Sequence, residues 1–165
     1  LENDKVSEFN LNLLTIDSEQ LGIPETEYSS IVTMNAASSQ EFAEKCPKFL
    51  RQVPIFYVYL LLITIETSKE AIKFSVSGEI GAGSITIKAN DSEKKEEQTI
   101  LEVDEPVTLS FALRYLNLFN KASNLSSQVI LSMSNDTPLV VEYKMDKLGS
   151  LRFYLAPKIT DEETA

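Results

Sequence analysis

The stretch QVPIFYVYLLLITIET, residues 52–67, decides what kind of protein this is. From Ile55 to Ile63 its only polar side-chain groups are the hydroxyls of Tyr57 and Tyr59. A helix that crosses a bilayer needs about 20 consecutive apolar residues. This run carries Pro54 at its head and meets Thr64, Glu66 and Lys69 soon after, so it is too short to span. It lies mid-chain without a small-residue cleavage site and is no signal peptide. Its Ile, Phe, Tyr, Val, Leu and Thr content favours a strand buried on both faces. A core helix and a membrane-surface segment remain as alternatives, because short apolar runs are ambiguous.

Composition bounds the rest. The chain has 165 residues, 43% of them hydrophobic, enough for a sizeable core in one domain or a domain with an arm. The net charge of −10 excludes tight phosphate binding through bulk charge and leaves room for a local basic face. Cys46 is the single cysteine, so no intrachain disulfide forms, which fits a reducing compartment. Histidine is absent, which removes Ser-His-Asp and Cys-His catalysis and His-ligated metal sites. The first residue is Leu1, not Met, so the numbering is expected to begin inside a longer chain.

Outward from the opening stretch the dominant pattern has period two. Phe9, Leu11 and Leu13 alternate with polar residues, as do Ile72, Phe74 and Val76, then Ile85, Ile87 and Ala89. Val129, Leu131 and Met133 come next, then Leu139, Val141, Tyr143 and Met145, then Leu151, Phe153 and Leu155. Each run predicts a strand with one face on a core. Turns are expected at 78–83, 135–138 and 147–149. GEIGAG lacks the Lys-Ser/Thr of a phosphate loop and reads as a tight turn.

Two segments predict helices. Residues 38–50 open with Ser38 and Glu41 at capping-box spacing, and Pro47, past the first turn, would kink the helix. Residues 111–123 place Ala112, Tyr115, Leu116 and Phe119 on an apolar stripe, with Arg114, Asn117 and Lys121 on the other side. The charge run at 90–98 predicts a mobile, solvated loop. Residues 15–28 are polar and extended yet carry Leu21, Ile23 and Pro24, apolar groups either tucked on the core or offered to a partner. A strand is also expected near 98–104. The order strand–helix–strand–strand–strand then occurs twice, pointing to a pseudo-symmetric domain.

EQLGIPETEY, FSVSGEIGAGSI, DEPVTLSFALRYLNLFNKAS, LSSQVILSMSNDTPLVVEYK and YLAPKITDEE together resemble the eukaryotic sliding clamp family, proliferating cell nuclear antigen. The likeness runs from about Lys5 to Glu163. It implies an α+β DNA-clamp fold, a repeated βαβββ unit with two helices packed on antiparallel sheets. It implies a remnant edge strand at 1–14, an interdomain connector at 15–27, a clamp C-terminal domain at 28–159 and an acidic tail at 160–165. The family's N-terminal domain is expected to be absent.

The resemblance also implies function. A trimeric ring encloses double-stranded DNA topologically and acts in the nucleus as a DNA polymerase processivity factor in replication and repair, without being an enzyme. By motif match Arg114, Asn117 and Lys121 face the DNA. Clients such as DNA polymerases and repair proteins would insert a short peptide between Leu21, Ile23 and Pro24, Pro138, and Tyr154, Leu155, Ala156 and Pro157, with Lys158 and Ile159 offering main-chain hydrogen bonds. Phe9, Leu11 and Leu13 of one copy would pair head-to-tail with the edge of Ile85 and Ile87 of the next. Lys69 matches the lysine that the family modifies with ubiquitin-like proteins. No catalytic residue, cofactor, metal site or membrane contact is expected.

Two departures stand out. Glu44 and Pro47 occupy positions where the family usually shows arginines. Residues 47–67 are longer and more apolar than the family's join, either a strand that tolerates unusual sequence or non-native coding sequence. The alternatives to a working clamp are therefore a truncated client-peptide adaptor that forms no ring and a non-functional product of a degenerate gene.

Overall fold

Alternation of apolar and polar side chains becomes alternation of burial. The computed structural model describes residues 26–37, 61–78, 81–135, 137–145 and 147–158. Nine strands lie among them: β1 (Ser30–Asn35), β2 (Leu62–Thr67), β3 (Ala71–Gly78), β4 (Gly81–Lys88), β5 (Ile100–Val103), β6 (Val107–Ala112), β7 (Gln128–Met133), β8 (Leu139–Met145) and β9 (Gly149–Leu155). One helix, α1 (Leu113–Phe119), is followed by a 3₁₀ segment, Asn120–Leu125. In β1, Val32 and Met34 are buried while Ile31 and Thr33 are half-buried; β7 repeats the pattern through Val129, Leu131 and Met133.

The strands form a five-stranded sheet, β5-β1-β7-β8-β9, and a four-stranded sheet, β4-β3-β2-β6, with every pairing antiparallel. One core joins them. Val32, Met34, Leu131 and Tyr143 come from the first sheet and Ile63, Ile65, Ile72, Phe74 and Phe111 from the second. Each such side chain contributes roughly 1.5–3 kcal/mol by leaving water.

The repeat is visible in the pairing. β1 leaves its own half to join β7–β9, and β6 leaves its half to join β2–β4. Both exchanges end alike. Asn35 stands opposite Gln128, and the next amide, Ala36 N–H, donates to the Ser127 carbonyl at 2.9 Å. Ala112 stands opposite Leu62, and Leu113 N–H donates to the Leu61 carbonyl at 3.0 Å. The halves differ in the connection after the exchange, since residues 36–61 form a longer link than residues 113–127.

The opening stretch resolves from Leu62 onward, where it is β2, flanked by β3 and β6. Only one face is buried, through Ile63, Ile65 and Thr67, which corrects the expectation of burial on both. Thr64 and Glu66 occupy the other face, where Thr64 Oγ1 and Ser110 Oγ share a hydrogen bond of 2.9 Å and Glu66 pairs with Lys73 at 3.2 Å. Residues 52–60 lie outside the described residues.

Other expectations shift. Ala36 and Ala37 already take helical geometry ahead of the predicted capping box at Ser38; residues 38–50 lie outside the described residues. The second helix is shorter than residues 111–123, because Phe111 and Ala112 complete β6 and the end tightens into 3₁₀ geometry. Ala89 falls just past β4. The glycine turn is narrow, with Gly78 paired to Gly81. The charge run at 90–98 is tied down rather than loose. Asn90 Oδ1 accepts from Thr99 N–H at 2.6 Å, Gln98 Nε2 donates to Asp91 Oδ1 at 2.8 Å, and Asn35 Nδ2 donates to the Glu96 carbonyl at 2.5 Å. The domain boundaries at 14 and 159 lie outside the described residues.

Candidate functional site

The antiparallel order brings four chain ends to one end of the five-stranded sheet. Ser30 opens β1 opposite Met133, the last residue of β7. Leu139 opens β8 opposite Leu155, the last residue of β9. The chain that delivers β1 therefore arrives where Pro138 precedes β8 and where residues 156–158 leave β9. Serine hydroxyls fix the arrival: Ser29 N–H donates to Ser134 Oγ at 2.7 Å, and Asp104 N–H donates to the Ser29 carbonyl at 2.9 Å.

On the outer face of this end, Val140 stands across from Tyr154, and Glu142 across from Arg152. Val140 is only 6% exposed although it belongs to the outward-facing set of β8, so this end of the face is covered. Tyr154 is 37% exposed, which leaves a reachable aromatic surface beside it. Tyr28 joins from the connector side. Burial, then the neighbouring Tyr154 hydroxyl, push its phenol above the usual value, while the Thr26 hydrogen bond and the Arg152 charge pull it down. Arg152 Nε donates to Glu142 Oε1 at 3.1 Å, and that bond raises the Arg152 pKa. The nearby Tyr154 hydroxyl raises it further. The ion pair of Arg152 and Glu142 thus lies beside Tyr154 on the same face.

Of the residues expected around a client peptide, the structure brings together Pro138, Tyr154, Leu155, Ala156, Pro157 and Lys158. Pro138 and Ala156 are exposed, Leu155 and Pro157 half-buried. Leu21, Ile23, Pro24 and Ile159 lie outside the described residues. Lys158 N–H donates to the Ser110 carbonyl at 2.7 Å, so the chain crosses from β9 to the outer edge of β6. That donor is engaged within the chain, contrary to the expectation that it would serve a peptide. Tyr28, Val140 and Arg152 carry no site signal in the sequence. Only their two-residue spacing from Ser30, Glu142 and Tyr154 hints at shared faces, and it needs the strand register to become informative.

The predicted DNA-facing set divides. Arg114 and Lys121 are exposed. The Arg114 guanidinium lies 4.7 Å from the Tyr115 ring centroid and donates to the Tyr115 hydroxyl at 3.1 Å. Tyr115, expected on the apolar stripe, is 38% exposed, and Leu113 takes the buried place. Asn117 does not share the exposed face as predicted: it is half-buried, and its Oδ1 is sealed from water without a hydrogen-bond partner. The helical layer is held to the sheet by Phe119 stacked on Phe153, itself edge-on to Tyr143 within the sheet at 6.3 Å, and by the Tyr143 hydroxyl donating to Asn120 Oδ1 at 3.4 Å.

β4 is an edge strand, paired only with β3 among the described residues. Ile85 and Ile87 are half-buried and pack toward the core, so a partner strand at this edge would meet main-chain groups first. Phe9, Leu11 and Leu13 lie outside the described residues. Lys69 is exposed in the turn between β2 and β3, where Ser68 Oγ accepts from Ala71 N–H at 3.1 Å. Among the described residues no cluster of acidic or cysteine side chains could hold a metal ion, and no helix is long and apolar enough to cross a membrane.

The family model described as proliferating cell nuclear antigen, C-terminal domain, matches residues 22–158.

Proposed function

Since the chain belongs to the proliferating cell nuclear antigen family, through its C-terminal domain, we propose that it acts as a sliding clamp in the nucleus. In this reading it is a non-enzymatic processivity factor that encircles duplex DNA and holds DNA polymerases and repair proteins to it. The observation that carries the proposal is the convergence at one sheet end of Tyr28, Pro138 and Tyr154–Lys158. A peptide bearing an aromatic plug would pack against the exposed face of Tyr154, near Pro138 and Pro157.

The remaining roles come from placement. Arg114 and Lys121 would offer cations toward the phosphate backbone, within a protein whose net charge otherwise repels it. The free edge of β4 would pair head-to-tail with a strand of another copy, the heterologous contact from which rings are built. Lys69 would accept a ubiquitin-like modifier. Calorimetry with a client peptide carrying the aromatic plug tests the central claim. Binding in the micromolar range, about −8 kcal/mol, is expected. Binding that Tyr154→Ala leaves unchanged would overturn the pocket.

A further inference from the structure

At the opposite end of β9 lies a second hollow, independent of the proposed client site. It has a volume of about 410 Å³ and is lined by Leu125, Met145 and Leu148 together with Ser126, Lys144 and Lys147. Six residue steps of strand separate Gly149 from Leu155, which puts the hollow about 20 Å from the client end.

Three features point to a ligand. Leu148 is 87% exposed and Leu125 is 51% exposed, apolar surface that gains from being covered. Leu148 is presented by a closed turn: its N–H donates to the Met145 carbonyl at 2.7 Å, and Gly149 takes φ 108°, where a side chain would be strained. Lys144 and Lys147 are both exposed and form no ion pair among the described residues, unlike Lys73, Lys94 and Arg152. Asp146 stands between them in the sequence, so the turn carries one net positive charge in a chain of −10.

We infer that this hollow docks a partner protein through a short acidic segment bearing a large aliphatic side chain. The aliphatic group enters between Leu125, Met145 and Leu148, and its flanking carboxylates meet Lys144 and Lys147. Opposite charge at the rim of an apolar contact selects the partner more than it strengthens the contact.

The test is amide chemical-shift mapping on the full chain with a capped pentapeptide of two leucines and three aspartates. Shifts are expected at residues 125–127 and 144–149. Leu148→Ser, at a site exposed enough not to disturb folding, weakens the midpoint about tenfold. Lys144→Glu and Lys147→Glu weaken it about threefold each. Shifts confined to 154–158, equal binding of the peptide with asparagine for aspartate, or shifts that depend on protein concentration without peptide would each overturn the inference.

Discussion

Phe119 and Phe153 stack face to face, with ring centroids 4.5 Å apart and planes 10° from parallel. This contact joins the last residue of α1 to the middle of the edge strand β9, so the proposed DNA-facing and client-binding elements share one aromatic seam. Phe153→Ala removes the stack and the edge contact with Tyr143. The ring is half-buried, so a loss of about 2–3 kcal/mol is expected rather than the full cost of a buried phenylalanine. Urea unfolding measures it, and a midpoint that does not move would contradict the seam.

Asn35 joins three elements. Its Oδ1 accepts from Ala37 N–H at 2.7 Å, in the manner of a helix cap at the helical pair Ala36–Ala37, while its Nδ2 holds the Glu96 carbonyl. Asn35→Ala should cost about 1 kcal/mol. Asn35→Asp keeps the acceptor and loses the donor, so hydrogen exchange should speed up in residues 94–97 while the Ala37 amide stays protected. Equal effects of the two substitutions at both places would show that the side chain does not bridge them.

Tyr143 is fully buried, and burial pushes its phenol from 10.0 up to about 12. The folded state then holds the proton more tightly than the unfolded chain. The resulting stability is complete below pH 10 and is lost as pH rises toward about 12. The loss should reach about 2–3 kcal/mol across that window. Urea midpoints for the chain and for Tyr143→Phe, taken through this range, provide the measurement. The phenylalanine variant should show a shallower decline, and parallel curves would rule the phenol out.

How much of this is legible in the sequence depends on the element. Period-two runs such as Ile72, Phe74 and Val76 reveal their strands because one buried face leaves a mark in every second residue. The start of α1 is misleading because Ala112 satisfies the helical stripe and also ends β6; pairing of Ala112 with Leu62 decides between them, and pairing is not local. Polar anchors are least visible. Asn35 and Asn90 look like ordinary loop residues until the chain brings Glu96 and Thr99 to them. Tyr28 is hidden as a site residue for the same reason, since only the folded chain brings it near Tyr154.

The last prediction separates the three residues proposed from sequence to face DNA. Arg114 and Lys121 are exposed, whereas the Asn117 amide oxygen is enclosed and unpartnered. Each lysine or arginine that neutralises a phosphate releases counterions and contributes about 0.9 to the slope of log affinity against log salt. Arg114→Ala and Lys121→Ala should therefore each reduce that slope by up to about 0.9, measured by fluorescence anisotropy of a short duplex over a salt series. Asn117→Leu should leave the slope unchanged. It should also raise stability by about 1 kcal/mol, because an enclosed acceptor without a donor costs its desolvation and a leucine does not. A salt slope that falls with Asn117→Leu but not with Arg114→Ala would mean that the DNA side of α1 has been assigned to the wrong face.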